Sequence, residues 1–155
     1  MTGQPTAVPP SAQKRQSRQA GLRRASLAIL IALIVQFALG ISVNLYVTLP
    51  AAGHPGHADW FGNGPILALH AALGMFLVLA AVFVLVRAIM ARNAALIVTS
   101  AAGMVAIGAA FYFGASFTEK LTDGYSLGMA ISFAAALACY TIGLSAASTR
   151  RSGPS

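Results

Sequence analysis

The sequence predicts an all-α fold: a four-helix transmembrane bundle threaded up-down-up-down, with both termini on the cytoplasmic side (N-in/C-in). Three observations predict it. Four apolar runs, residues 25–49, 66–86, 94–118 and 125–148, contain no Asp, Glu, Lys or Arg. Each meets the roughly 20 residues needed to cross a hydrocarbon core of about 30 Å. Composition agrees, since only 8% of the residues are charged and 57% are hydrophobic, whereas soluble domains carry about 25% charged residues.

The third observation is the placement of the basic residues. Of the ten Lys and Arg, Lys14, Arg15, Arg18, Arg23 and Arg24 precede the first run, Arg87 and Arg92 flank the second loop, and Arg150 and Arg151 follow the fourth run. Only Lys120 falls in a loop of opposite parity. The positive-inside rule then puts both termini in the cytoplasm and the first and third loops outside a plasma membrane. The net charge of +7 is mostly a topology signal. Nucleic acid is a poor partner for it, because no aromatic stacking platform accompanies the basic residues. The expected partner is the lipid bilayer, with a weak attraction of residues 14–24 to anionic lipid.

Residues 1–24 are rich in Gln, Pro, Ser and Ala without apolar periodicity, which predicts a disordered basic cytoplasmic tail. The first apolar run is much longer than the h-region of a signal peptide and has no small-residue cleavage site after it, so it is read as an uncleaved span. It contains Gln36 near its middle and Asn44 near its outer end. An amide at mid-bilayer depth needs a partner, so Gln36 is expected to bond a neighbouring helix. Ala28, Ala32, Gln36, Gly40 and Asn44 recur every four residues as a small-and-polar ridge suited to close helix contact.

Pro50 ends the first span, and Pro65 suits the first turn of the second, where a missing N–H costs nothing. The loop between them carries His54, His57 and Asp59, together with Trp60 and Phe61 as interfacial anchors. In the second span His70 is the only imidazole within an apolar run, about one turn below the outer surface. Gly74, one turn further on, is expected to leave open space beside its ring. In the third span Ala102, Ala106, Ala110 and Gly114 form a ridge of small residues, and Gly124, Gly128, Ser132 and Ala136 do so in the fourth. Residues 149–155 are a short cytoplasmic tail. Such ridges and short connections predict a compact antiparallel bundle.

Polar residues collect toward the outer ends of the spans. Asn44, Gly74, Tyr112, Ser116, Tyr125 and Ser126, with His70, define a candidate outer-leaflet pocket. An intramembrane ionisable residue is a functional-site hypothesis by default. Three roles are open to His70: a structural hydrogen bonder, an axial ligand of haem, or part of a metal site with His54, His57 and Asp59. For haem, laying Gly64-Pro65 over Gly124-Tyr125 sets Leu69 opposite Met129, whose sulfur is the candidate sixth ligand. No catalytic residue is assigned. Ser116 and Ser126 lack a nucleophile elbow, no carboxylate lies within a span, and the single cysteine, Cys139, excludes a dithiol pair.

Val43-Asn-Leu-Tyr-Val-Thr-Leu-Pro50, the loop His54-Pro-Gly56 and Gly64-Pro-Ile-Leu-Ala-Leu-His-Ala-Ala-Leu-Gly74 resemble small four-span membrane proteins of actinobacteria, over roughly residues 40–140. That resemblance implies the same membrane architecture and no particular activity. The architecture is more remotely similar to one half of haem A synthase and to cytochrome b561-type bundles. Those families use paired span histidines, of which His70 is the one match. The expected function is therefore a non-catalytic membrane protein that binds a ligand, with haem the specific candidate, at the pocket around His70. The alternative is an accessory or assembly subunit that binds another membrane protein through its small-residue ridges.

Overall fold

A computed structural model describes residues 10–48 and 64–149. They form four helices: α1 (Pro10–Tyr46), α2 (Pro65–Met90), α3 (Ala94–Lys120) and α4 (Asp123–Thr149). Each contains a stretch long and apolar enough to cross a membrane: Ala20–Tyr46, Pro65–Met90, Ala94–Lys120 and Asp123–Ala146. The all-α four-helix architecture is the expected one.

Local chemistry sets the helix ends. Pro65 opens α2 after Gly64, whose φ of 117° suits a residue without a side chain. Arg92, in the short α2–α3 connection, and Leu121, which caps α3, both adopt φ of 49°. The Leu121 N–H donates to the Phe117 carbonyl at 2.8 Å, closing the last turn of α3. These tight connections fold α3 back along α2, and α4 back along α3.

The start of α1 departs from the sequence reading. Residues 10–24, expected as a disordered tail, continue the first span as helix. Ala, Gln, Lys and Arg are good helix formers, and extending a formed helix avoids the cost of a new nucleus. Tertiary packing adds to this, because Leu22 is buried against Ala88 and Leu96.

The helices close a four-membered ring in which α1 packs on α2 and α4, and α3 packs on α2 and α4. The core comprises Ile29 and Leu33 of α1, Leu77, Ala81 and Val84 of α2, Ile107 of α3, and Ala136 and Tyr140 of α4. The outside of the bundle is equally apolar. Leu79, Val98, Val105 and Ile131 are all more than 60% exposed, a surface that matches lipid and not water.

The α3–α4 seam is the most extensive contact and is built on glycine notches. A methyl group on Gly103 would lie 2.7 Å from the Tyr140 ring, and one on Gly128 3.0 Å from the Phe113 ring. Gly114 faces the Met129 sulfur and Gly143 faces Thr99. Small residues thus do serve close helix contact, and of the ridge expected in α3 Ala106 packs on the core and Gly114 lies in the seam. The buried notch of α3, however, is Gly103, while Ala102 of the expected ridge is exposed.

Candidate functional site

The polar centre of the bundle is a pair across the α1–α2 seam. Gln36 projects from α1 ten residues before its end at Tyr46, and His70 sits five residues into α2, about 7.5 Å along its axis. The Gln36 amide Nε2 donates to the backbone carbonyl of His70 at 3.0 Å and lies 3.3 Å from the His70 ring Nε2. An amide NH2 carries two protons, so it serves both acceptors. The ring Nε2 is then the acceptor, which assigns the imidazole proton to Nδ1.

Two glycines make this approach possible, and they do so reciprocally. Gly40, one turn beyond Gln36, lies under the His70 ring: a Cβ there would be 3.2 Å from Cε1 and 3.8 Å from Nδ1. Gly74, one turn beyond His70, lies under the Gln36 amide, with a Cβ position 3.2 Å from Nε2. Antiparallel helices bring a Gln-x3-Gly and a His-x3-Gly segment into register in this way. The open space expected beside the ring at Gly74 is therefore filled by Gln36, with Phe111 of α3 on its other side at 3.6 Å. The glycine that makes room for the imidazole is Gly40, on the partner helix.

Two atoms of this pair are left over. Gln36 Oε1 and His70 Nδ1 are both buried without a hydrogen-bond partner. With the proton on Nδ1, the site presents one acceptor and one donor. An unsatisfied buried polar group costs about 1–3 kcal/mol, and hydrocarbon offers no water to offset it.

The other expected pocket residues lie elsewhere. Met129 places its sulfur 3.2 Å from a Cβ built on Gly114, in the α3–α4 seam, whereas His70 faces α1. Tyr112 is exposed, edge-on to Phe113 with ring centroids 5.7 Å apart. Tyr125 accepts a hydrogen bond from Lys120 Nζ at 2.8 Å, with the ammonium 5.0 Å from its ring centroid. Phe113 reaches the same ring at 6.4 Å. Ser116 is buried, Ser126 half-buried and Asn44 exposed. The expected pocket thus divides into the Gln36–His70–Gly74 seam and a separate Lys120–Tyr125–Phe113 corner. His54, His57 and Asp59 lie outside the described residues, as do Trp60 and Phe61. Among the described residues, no three His, Cys, Asp or Glu side chains gather as metal ligands.

The residues at hand do not fit haem. The Nε2 lone pair that would bind iron already faces the Gln36 amide, and the ring edge packs against α1 at Gly40. The proposed sixth ligand, Met129, belongs to another seam. What the pair supports is a strong interhelical link. A double-mutant cycle of Gln36→Ala and His70→Ala, read by denaturant unfolding in mixed micelles, is expected to give a favourable coupling of about 0.6–1.7 kcal/mol.

The sequence shows the pairing only by halves: Gln36 needs a partner, and His70 stands apart as the one imidazole within an apolar run. The common x3-Gly spacing on both helices is the signal that links them. No known protein family, curated protein or solved structure matches this chain.

Proposed function

We propose that this is a non-catalytic multi-pass protein of the plasma membrane, with both termini cytoplasmic, that binds a small polar molecule at the Gln36–His70 pair. One observation carries the reading: two buried polar atoms, Gln36 Oε1 and His70 Nδ1, that no group among the described residues satisfies, an acceptor and, with the ring proton on Nδ1, a donor. Unsatisfied groups of this kind are few in native structures, and each calls for a ligand, an ordered water or a functional reason. The ligand class follows from the atoms: a molecule with one hydrogen-bond acceptor for the imidazole and one donor for the amide carbonyl. Haem, the first specific candidate, has less support than such a molecule because Nε2 is engaged. An accessory role through small-residue ridges also loses support, since Gly114, Gly128 and Ala136 are used within the bundle. The orientation rests on nine of ten basic residues lying on one side of the spans.

Organic extracts of the purified protein, analysed by mass spectrometry beside its visible spectrum, test this. A small molecule recovered with wild type should fall about tenfold in His70→Ala and Gln36→Leu, the loss expected for one or two hydrogen bonds, with no Soret band. Identical extracts from folded variants would reduce the pair to a structural clamp. A Soret band lost in His70→Ala would restore haem.

A further inference from the structure

At the arginine-rich end of the bundle, the α1–α2 seam opens into two cavities. One, of about 250 Å³, is lined by Leu22, Arg87, Met90 and Ala91. The other, of about 230 Å³, is an apolar trough walled by Ala25, Ala28, Ala32, Phe76, Ala80 and Phe83, among others. Residues 22 and 25 are one helical turn apart on α1, and residues 83 and 87 one turn apart on α2, so the cavities follow one another along the seam. Arg87 marks the junction. Its guanidinium carbon lies 5.7 Å from the Phe83 ring centroid, and its Nη2 is 3.0 Å from a Cβ position on Gly21. The side chain therefore crosses from α2 to the backbone of α1, over the mouth of the trough.

Among the described residues, no acidic side chain accompanies the charge at this end. Arg23, Arg24 and Arg92 accompany Arg87, and the Arg23 Nε is buried without a hydrogen-bond partner. The three acidic residues of the whole sequence are Asp59, Glu119 and Asp123. Asp59 belongs to the α1–α2 connection, and Glu119 and Asp123 flank the α3–α4 connection, both at the opposite end of the helices. No acidic side chain among the described residues therefore faces the arginines, and a bound anion suits them as counter-charge.

We propose that the seam holds one anionic phospholipid, its phosphate on Arg87 and one acyl chain in the trough between Ala25 and Phe76. The cation stands where a span meets the headgroup layer, and the trough continues from it into the hydrocarbon. Small side chains at Ala25, Ala28, Ala32 and Ala80 form the floor, and Phe76 and Phe83 add aromatic walls. Arginine suits the task because its planar fork binds phosphate oxygens in pairs. The proposal rests on the membrane reading of the four apolar helices and is independent of the Gln36–His70 site.

The test titrates the full-length protein, purified in a zwitterionic detergent, with phosphatidylglycerol or phosphatidylcholine of matched acyl chains, and counts retained lipid by native mass spectrometry. One phosphatidylglycerol should be retained with about five-fold or greater preference, the effect of a single basic residue near a lipid phosphate. That preference should disappear in Arg87→Gln and persist in Arg87→Lys and His70→Ala. Ala28→Phe, which fills the trough, should lower retention of both lipids. Added salt should weaken the wild-type preference, which keeps the test decisive even if a variant fails to fold. Equal retention of the two lipids by wild type overturns the proposal, as does unchanged retention in both Arg87→Gln and Ala28→Phe. A stable dimer in place of bound lipid would assign the trough to a second copy of the chain and overturn it too. Failure of the protein to co-float with vesicles would count against the membrane reading itself.

Discussion

Replacing Tyr140 by alanine lowers the stability of the bundle by about 3–5 kcal/mol, the range for deleting a buried aromatic side chain and leaving its cavity. Tyr140 is 2% exposed and belongs to the one cluster that draws on all four helices. Its ring also fills the notch at Gly103, the tightest of the glycine contacts along α3–α4. Lipid-embedded helices associate chiefly through such packing, since hydrocarbon tails are as apolar as leucine. Tyr140→Phe should behave in the opposite way. The hydroxyl is buried without a partner, so removing it is neutral or stabilising by up to about 1–3 kcal/mol. Unfolding in mixed micelles, followed by helical circular dichroism, checks both signs. A mild effect of Tyr140→Ala would mean that the α3–α4 seam is not the principal interface. Gly103→Ala is expected to destabilise wild type and to be tolerated beside Tyr140→Ala, because the two residues share one space.

The second large effect concerns the reciprocal glycines. Gly40→Leu and Gly74→Leu should each cost about 2–4 kcal/mol: 1–3 from forcing α1 and α2 apart and about one more from the lost Gln36–His70 link. A Cβ at either position already lies 3.2 Å from the opposing side chain, so the branched leucine has no room in the present helix spacing. Gly108→Leu is the control, because nothing lies within 4 Å of a Cβ there. If Gly108→Leu proved as damaging as the other two, helix propensity or insertion would explain the losses, and the proposed seam geometry would fail. The same variants should also abolish ligand recovery at the pair, since both separate the two side chains that would hold the ligand.

Much of the architecture is legible without coordinates because span formation is a local property. An uninterrupted apolar run of sufficient length has no better environment than hydrocarbon, and its backbone has no better conformation there than a helix. The number and order of the helices, Pro65 at the start of α2 and the need of Gln36 for an interhelical partner all follow from nearby residues. The boundary at residue 24 does not, because helix continues through polar residues once a span has nucleated it and Leu22 finds a buried position.

The site needed the tertiary structure for a different reason. Small residues recur on several faces of α1, α3 and α4, so spacing alone does not say which face turns inward. In α3 the expected Gly114 does lie in the seam, but at the other end of the ridge the buried notch is Gly103 and not Ala102, which sits about 100° round the helix. Rotation and depth also decide that His70 meets Gln36 and that Met129 packs on Gly114. By itself the sequence determined four apolar helices, their order and the two residues least at home in hydrocarbon. Only the tertiary structure decided that those two residues are partners, because the pairing depends on helix rotation and depth, which arise when notches and side chains from distant segments fit together.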